Sequence, residues 1–409
     1  MSSLFKAYKR SFLLKDRGSD IKRKGVGFLV NTIVAVIILQ ISPFTINSAF
    51  AESYDPIIII TVDVETANYY NDSFSLTLPE QVNAVCEQNR ECGLQRMVGL
   101  LKQYNYPATF YFNVYEYKEY GEQPIMEIAQ WLNESGQDVQ LHTHPQWAYD
   151  ESRNLMHQYS LNEQIQIIKE GKDLLESWTG QPVLAHRAGA YGADENTIRA
   201  LIRNNIYYDS SLLVFSGNSK IRKLNFKKNT LSMYGDLYEF PVTVYKLYES
   251  PFFLKDNVKP VSVMSKYDVD FFHNEIETEK ALREALELKM DIIILFLHSF
   301  SFIKAYDDSE NMKSDVTALK VFEYMLEFIR NKKLKVLSFR NIKDSNIELE
   351  KYLKRPDTIP EISMQISTLQ YLRKRIGINR RNYKTYALIT GAAILLILIG
   401  VAALKRRRN

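Results

Sequence analysis

Pairs of side chains suited to metal binding occur at two points of the chain, each pair separated by one residue. His142 and His144 end one predicted strand, and Asp63 and Glu65 end another. Because side chains alternate across a strand, residues i and i+2 point to the same side of a sheet. Imidazole and carboxylate groups are ligands of borderline divalent metals, with zinc the first choice. The spacing therefore predicts a metal site that activates water for hydrolysis.

Three further predicted strands end in residues that could complete such chemistry, namely Arg187, Asp209 and His298. An arginine can hold a carboxylate through paired hydrogen bonds. A carboxylate can take a proton from water, and a separate histidine can protonate a leaving group. Together the strand ends predict hydrolysis of an amide or ester without a protein nucleophile. Taken singly, residues of this kind are more often structural or surface features than parts of a functional site.

The elements that must position these residues alternate between short apolar segments and amphipathic ones. This order predicts a parallel sheet, and eight strands favour a (β/α) barrel over a doubly wound open sheet. In both folds, functional side chains lie at the carboxyl ends of strands. The clearest predicted helix begins at Ser160, with Glu163 completing a capping box, and ends near Gly180. The predicted strands are Ile57–Asp63, Ala108–Val114, Asp138–His144, Val183–Arg187, Ile206–Asp209, Leu237–Val242, Asp291–His298 and Lys335–Phe339.

Five of these segments resemble, in order and content, the motifs of the polysaccharide deacetylases, the NodB-homology or carbohydrate esterase 4 group. The resemblance covers about Ile57 to Phe339. Each motif is weak by itself, whereas five in the same order are a fairly specific signal. The matching segments are Thr61-Val62-Asp63 (T-F-D-D in the family), His142-Thr143-His144-Pro145 (H-T-x-x-H-P), Arg187 to Gly192, Asp209-Ser210, and Leu297-His298.

The resemblance implies a distorted (β/α) barrel that removes acetyl groups from N-acetylated sugars with the help of a divalent metal. The expected partner is therefore a polysaccharide or oligosaccharide substrate. The resemblance implies that Asp63 is the general base and that Arg187 holds it. It also implies that His142 and His144 bind the metal. His298 would be the general acid, and Asp209 would orient it.

Two departures from the family pattern concern the metal. The second Asp of the family falls on Val64, so the third ligand must be Glu65 or Asp63. If Asp63 binds the metal, Glu65 could serve as the base. The two histidines are also closer together than in the family, and we interpret both changes as compensating because both pairs become i, i+2. We therefore expect Glu65, His142 and His144 to bind Zn²⁺. A barrel that binds sugar without hydrolysing it is the alternative.

Each end of the chain carries an apolar run beside basic residues. Residues 25–41 are uncharged and largely apolar, follow a basic segment and precede the A-x-A site that ends at Ala51. This pattern is typical of a secretory signal cut after Ala51, with an uncleaved anchor as the alternative. Residues 386–404 carry no charge and are long enough to cross a bilayer. The basic residues 405–408 that follow favour a cytoplasmic C-terminus.

The predicted organisation places the catalytic domain on the extracytoplasmic side of the cell membrane. In such a compartment Cys86 and Cys92 would form a disulfide, with a free pair as the alternative. The net charge is only +4, so nothing argues for a nucleic-acid partner. The predicted parts are a signal peptide or anchor over 1–51, the deacetylase-like barrel over 52–345, a charged stalk over 346–385, a transmembrane helix over 386–404 and a basic tail over 405–409.

Overall fold

The chain divides into two compact units, residues 1–54 and 55–409, and the elements described below lie in the second. The computed structural model describes residues 54–68, 75–251, 260–306 and 308–366.

The predicted membrane segments fall beyond these ranges. The signal segment 1–51, the transmembrane helix 386–404 and the tail 405–409 all lie outside the described residues. Across the described ranges, no helix combines the length and the apolarity that a bilayer crossing requires.

Short strands dominate the described part of the chain. They are β1 Ile57–Val64, β2 Ala67–Asn68, β3 Ser75–Leu76, β4 Val85–Cys86, β5 Arg90–Glu91, β6 Thr109–Asn113, β7 Asp138–Thr143, β8 Ala185–Ala188, β9 Tyr208–Asp209, β10 Ser232–Tyr234, β11 Leu237–Glu239, β12 Val244–Pro251, β13 Val261–Lys266, β14 Ile292–His298, β15 Ile303–Tyr306, β16 Asp308–Ser314, β17 Lys335–Val336 and β18 Glu361–Ile366.

One nine-stranded sheet forms the centre of the domain, in the order β10-β11-β9-β8-β7-β6-β1-β14, with β17 also paired to β1. Its pairs are parallel except for the β10–β11 hairpin. All eight predicted strands are found in this sheet, with ends shifted by a few residues. The parallel order brings their carboxyl ends to one edge, where the predicted site residues lie.

Helices connect and cover the strands. The longest predicted helix is confirmed as α5, because Ser160 and Glu163 exchange the two capping-box hydrogen bonds and Gly180, at φ 67°, ends it. The helices are α1 Leu78–Val82, α2 Leu94–Tyr104, α3 Tyr117–Tyr120, α4 Glu122–Glu134, α5 Leu161–Thr179, α6 Glu195–Arg203, α7 Glu275–Glu287, α8 Val316–Lys332, α9 Phe339–Asp344 and α10 Glu350–Leu353.

Strand β1 shows how alternation sorts side chains between two cores. Ile58 and Ile60 pack in the large core shared with the helices. Ile57 and Ile59 pack on the other face, in a smaller core with the aromatic ring of Phe339. Burial of each such side chain stabilises the fold by about 1.5–3 kcal/mol. The same alternation carries Asp63, four residues beyond Ile59, onto the face of the smaller core.

The sheet curls so that residues following β9 and β11 contact β14. Phe296 of β14 packs with Leu213, Val242 and Val244, which follow β9 and β11. In addition, the hydroxyl oxygen of Thr243 accepts a hydrogen bond from the backbone N–H of Ile294, at 2.8 Å. The α/β class is therefore confirmed, and the sheet is a curled half-barrel.

A second, three-stranded sheet has the order β13-β12-β18. Strands β12 and β18 are parallel, with Lys246 opposite Glu361. Residues 361–366, which fall in the predicted stalk, thus pair with a strand of the domain. Strand β13 ends at Lys266, so this sheet also delivers a side chain toward the main sheet's β14 edge.

The β4–β5 hairpin is closed by a disulfide between Cys86 and Cys92. The pairing predicted from the sequence is confirmed. Both cysteines are buried in a small core with Phe300 and Ile303.

Candidate active site

Glu65, His142 and His144 form a compact group at the carboxyl ends of β1 and β7. Oε2 of Glu65 lies 3.2 Å from Nε2 of His142 and 2.5 Å from Nε2 of His144. One ligand atom from each residue lies within 4.8 Å of the others. Asp63 is farther away, since its Oδ2 lies 3.9 Å from Nε2 of His142. The structure thus brings the three predicted ligands together and places Glu65, rather than Asp63, among them.

The two imidazoles differ in the hydrogen bonds of their Nδ1 atoms. Nδ1 of His142 lies 2.8 Å from the carbonyl oxygen of Arg187, which can only accept, so this Nδ1 carries the hydrogen. Nε2 of the Gln146 side-chain amide lies 3.2 Å from Nδ1 of His144 and can donate to it. The contact of His142 is typical of a metal-binding histidine, because it fixes the tautomer that presents Nε2.

Gly189 makes room for His144. A Cβ at position 189 would lie 2.5 Å from Nε2 and from Cδ2 of this imidazole. Any side chain there would displace the ring from Glu65. The close approach of the backbone therefore requires glycine at this position.

Arg187 holds Asp63 from inside the curled sheet. Its Nη1 donates to Oδ1 of Asp63 at 2.7 Å and to the hydroxyl of Thr61 at 3.1 Å. Its Nε and Nη2 donate to the carbonyl oxygen and the hydroxyl of Ser210. Arg187 is fully buried, and its Cζ lies 4.3 Å from the ring centroid of Tyr111. The structure thus joins the two residues that the sequence pairs as base and holder.

The backbone of Glu65 is held on both sides by buried polar groups. The side-chain amide of Gln81 donates to the carbonyl oxygen of Glu65 at 2.9 Å. The hydroxyl of Ser299 lies 3.4 Å from the N–H of Glu65 and donates to Oε1 of Gln81 at 2.5 Å. The disulfide hairpin lies directly behind Gln81, because a Cβ at Gly93 would be 2.2 Å from the Gln81 carbonyl oxygen. These contacts fix the point at which Glu65 leaves β1.

The next residue, Thr66, is fixed by a buried carboxyl group. Glu116 accepts hydrogen bonds from the N–H and the hydroxyl of Thr66, at 2.8 and 2.6 Å, and from the amide of Asn113 at 3.0 Å. Burial raises the pKa of Glu116 to about 7, although these hydrogen bonds favour its charged form. Asn113 in turn accepts from the backbone N–H of His144 at 3.3 Å, so one network connects both ligand strands.

The electrostatics of the group favour a positive charge at its centre. Burial by itself would raise the pKa of Glu65, but the charge of His144 and hydrogen bonds with His142 and His144 hold it well below its usual value. Burial would lower the pKa of His144, yet the charge of Glu65 raises it. In the described part of the chain, Nε2 of His144 is buried and faces Oε2 of Glu65. A carboxylate and two Nε2 atoms at these distances are stable together only around a proton or a cation.

These residues fit a divalent cation. One carboxylate and two imidazoles leave a coordination position open, as catalytic zinc sites do. The tautomer of His142 and the buried Nε2 of His144 also favour a bound cation. The site can therefore hold a metal with room for water or a substrate oxygen.

His298 lies on the opposite side of Glu65. Its Nε2 is 3.9 Å from Oε1 of Glu65, and its Nδ1 is 3.5 Å from Oδ2 of Asp270. Asp270 follows β13 and lies two residues beyond Asp268, which is fully buried. The carboxylate that faces the predicted general acid is therefore that of Asp270.

The structure corrects the role predicted for Asp209. Its Oδ1 accepts from Nδ1 of His186 at 2.8 Å and from the hydroxyl of Ser211 at 2.7 Å. Strand β9 lies between β8 and β11, five places from β14 in the sheet order, so its last residue meets His186 rather than His298. Burial, together with the charge of Asp209, raises the pKa of Glu239 well above its usual value. Asp209 therefore belongs to a buried structural cluster.

A family model described as polysaccharide deacetylase matches residues 81–208. The matched segment includes His142, His144 and Arg187, and the first, fourth and fifth motifs lie outside it. The family predicted from the five motifs is confirmed by this match over residues 81–208. No curated protein sequence matches the chain.

Solved structures of low sequence identity resemble the fold. A candidate polysaccharide deacetylase from Mycobacterium smegmatis is 17% identical, with a TM-score of 0.46 over 75% of this chain and 95% of that one. Peptidoglycan deacetylase PdaC from Bacillus subtilis is 12% identical, with a TM-score of 0.35 over 73% and 92%. A CE4 family pseudoenzyme from Bacillus anthracis is 10% identical, with a TM-score of 0.37 over 76% and 70%. At these TM-scores the likenesses support no conclusion about function.

Sequence reasoning missed the residues that reach the site from outside the parallel strands. Asp270 has one local signal, the D-x-D spacing with Asp268 after the strand that ends at Lys266. Gln81 and Ser299 have none, because single polar residues in helices and turns are common. Their role becomes visible only when the chain is folded.

Proposed function

We propose that the protein is a metal-dependent hydrolase that removes acetyl groups from an N-acetylated polysaccharide. The observation that carries this proposal is the arrangement around Glu65. The carboxylate of Glu65 forms a cluster with His142 and His144, whose ligand atoms lie within 4.8 Å of one another. Asp63 lies two residues before Glu65, and Nε2 of His298 lies 3.9 Å from the Glu65 carboxylate. A base, metal ligands and an acid around one point are the parts that hydrolysis of an amide requires. The deacetylase family supports a carbohydrate substrate.

Glu65, His142 and His144 would hold the cation, and their ligand types favour Zn²⁺. When bound, the cation would make water more acidic and polarise the acyl carbonyl group. Asp63 would take the proton from the attacking water. Because Oδ1 of Asp63 accepts from Arg187, Oδ2, which faces His142, is the atom free to do so.

His298 would then donate a proton to the leaving nitrogen. The acetamide C–N bond breaks, acetate leaves with the oxygen of water, and the sugar amine keeps the donated proton. Asp270 faces Nδ1 of His298 and would stabilise the charged imidazole and fix its orientation. Arg187 holds Asp63, and His298 lies on the opposite side of Glu65. The two proton transfers would therefore take place at different points of the site.

We also propose that the domain works outside the cytoplasm, tethered to the membrane by residues 386–404. The apolar and basic segments at both ends support this location. The disulfide between Cys86 and Cys92 agrees with an oxidising compartment. Protease added to intact cells should then cleave the domain from the membrane fraction, and a protected domain would contradict the proposal.

The proposed activity is tested by acetate release from N-acetylglucosamine oligomers with the purified full-length chain. We expect acetate release that a chelator abolishes and added Zn²⁺ restores. His142→Ala should lose both the metal and the activity. His273→Gln is the matched control, because His273 pairs with Glu277 and has no contact with the ligand group. Metal-loaded protein that binds the oligomer without releasing acetate would instead support the alternative of a carbohydrate-binding protein.

A further inference from the structure

Lys266 is a buried ammonium group that the proposed reaction leaves without a role. Its exposed fraction is 5%. Nζ lies 2.9 Å from the hydroxyl oxygen of Tyr191 and 3.0 Å from Oδ2 of Asp268. Burial would lower the pKa of Lys266, but Asp268 and Tyr191 raise it above its usual value, so the group stays charged.

Tyr191 lies in a turn whose backbone conformation is unfavourable for tyrosine. Ala190 and Tyr191 have φ of 47° and 59°, the left-handed region in which side chains are strained. Each such residue is strained and persists only where surrounding contacts determine it, which is most often at functional sites. Here the contact from Lys266 and a hydrogen bond from Gly192 to Gly189 hold the turn.

Lys266 and Tyr191 share one neighbour with Arg187, which holds Asp63, and with His298, the predicted general acid. Phe296 is the common neighbour, since Nζ of Lys266 lies 3.5 Å and Cζ of Arg187 5.0 Å from its ring centroid. The rings of Tyr191 and His298 lie 6.1 and 4.9 Å from the same ring. In addition, a carboxylate oxygen of Asp268, the ion-pair partner of Lys266, lies within 4.8 Å of a ring nitrogen of His298, and the charges of Asp63 and Arg187 act on Tyr191. Lys266 and Tyr191 therefore lie near both the residue that holds Asp63 and the predicted general acid.

The hydroxyl of Tyr191 retains a free donor. Its oxygen accepts from Lys266, and no described residue accepts its hydrogen. A hydroxyl that accepts from an ammonium group is polarised and becomes a stronger donor. Burial raises the pKa of Tyr191 to about 12 even though the charge of Lys266 lowers it, so the hydrogen stays in place at neutral pH.

We propose that Tyr191 donates this hydrogen to the acyl carbonyl oxygen of the substrate, and that Lys266 is the positioning residue that holds and polarises the hydroxyl. The inference rests on the proposed deacetylase function and adds a residue to it. The carbonyl oxygen gains negative charge as water adds to the carbon. A donor placed there in advance stabilises the charged state more than the starting amide.

The test compares kcat and KM for acetate release from N-acetylglucosamine oligomers in six forms of the full-length chain. These are the wild type, Tyr191→Phe, Lys266→Met, Lys266→Arg, the double variant of Tyr191→Phe with Lys266→Met, and Tyr207→Phe as the matched control. Tyr207 is a half-exposed tyrosine whose hydroxyl donates to Asn205. Metal content and thermal unfolding of each variant are measured beside the kinetics.

Tyr191→Phe should lower kcat by ~100-fold with KM changed by less than ~3-fold, because the lost interaction forms only as charge develops. Lys266→Met should have a smaller effect, Lys266→Arg should restore part of it, and the double variant should equal Tyr191→Phe. A Tyr191→Phe variant with wild-type kcat overturns the inference while leaving the deacetylase function intact. If Tyr191→Phe and Lys266→Met lower kcat equally and the two fold-losses multiply in the double variant, Lys266 does not act through Tyr191.

An inactive, metal-loaded wild type would reject the proposed function and, with it, the inference that rests on that function. An active wild type with an equally active Tyr191→Phe variant would reject the inference alone.

Discussion

The two sides of the candidate active site are built in different ways. Asp63, His142 and Arg187 lie on three parallel strands of the central sheet, β1, β7 and β8, so the register of this sheet sets their distances. We call these residues, with Glu65 and His144, the strand side. Asp268 and Asp270, with Lys266, reach the site from the end of β13, which belongs to a different sheet. We call these three residues the loop side.

The difference shows which contacts each side depends on. The strand side is fixed by backbone pairing and by a fully buried arginine. The loop side is fixed mainly by side-chain contacts, such as the 3.0 Å ion pair between Lys266 and Asp268, together with one isolated bridge between Asp268 and Phe296. Changes on the strand side should therefore reduce both stability and metal binding. Changes on the loop side should reduce the rate and leave the metal in place.

The largest effect is expected for Arg187→Met. This change leaves Asp63 as a buried charge without its partner, which costs about 3–5 kcal/mol of unfolding free energy. Urea unfolding measures it, with Arg199→Met as the control, because Arg199 forms a half-exposed pair with Glu195 on α6. The control should unfold at nearly the wild-type urea concentration, because an exposed ion pair is screened by water and adds little stability. If both variants unfold at the same urea concentration, the buried arginine does not stabilise the strand side.

A smaller effect, on the rate alone, separates Asp270 from Asp209. Asp270→Asn should lower kcat by at least ~10²-fold, the usual contribution of an oriented general acid, with unchanged metal content. Asp209→Asn should leave kcat within ~3-fold, because Asp209 contacts His186 and Ser211 rather than His298. Steady-state kinetics and metal analysis on both variants provide the measurement. The reverse result would restore the role that the sequence assigns to Asp209.

The smallest effect concerns the support of the loop side at low pH. Burial would raise the pKa of Glu277, but the hydrogen bond and charge of His273 and the hydroxyl of Tyr245 hold it below its usual value. A lowered folded-state pKa adds stability that is present above the unfolded value of about 4.3 and is lost as pH falls through the folded value. Glu277→Gln should therefore be about 1–2 kcal/mol less stable than the wild type at pH 7.

Urea unfolding across the acid range checks this prediction. The difference in unfolding free energy between Glu277→Gln and the wild type should disappear as the pH falls below about 4. Activity at pH 7 should stay unchanged, since Glu277 has no contact with the ligand group. A gap that is the same at pH 3 and pH 7 would show that the ionised carboxylate contributes nothing.

The strand side could be predicted from the sequence because local rules fix it. An apolar segment of Ile57 to Ile60 predicts a buried strand, and alternation then sets the face of Asp63 and Glu65. The same rule applies to His142 and His144. Parallel order brings these strand ends together without further information. All eight predicted strands and the capped helix α5 follow from rules of this kind.

The loop side could not be predicted, because its position depends on contacts between distant parts of the chain. The order of the motifs points to Asp209, but order along the chain does not give the place of a strand in the sheet. Asp270 faces His298 because strand β13 pairs with β12 and the sheet curls to meet them. The left-handed turn at Tyr191 likewise needs the contact from Lys266, 75 residues away.

The disulfide hairpin behind Gln81 has a practical consequence for handling the protein. Gln81 supports the backbone of Glu65, and Gly93 of the hairpin lies against Gln81. A thiol reductant in a purification buffer would open the Cys86–Cys92 bond beside this support and would itself compete for a soft or borderline metal. Protein made in a reducing host could therefore arrive without metal and with a displaced Glu65. An oxidising host and thiol-free buffers are the conditions in which the intact site should be assayed.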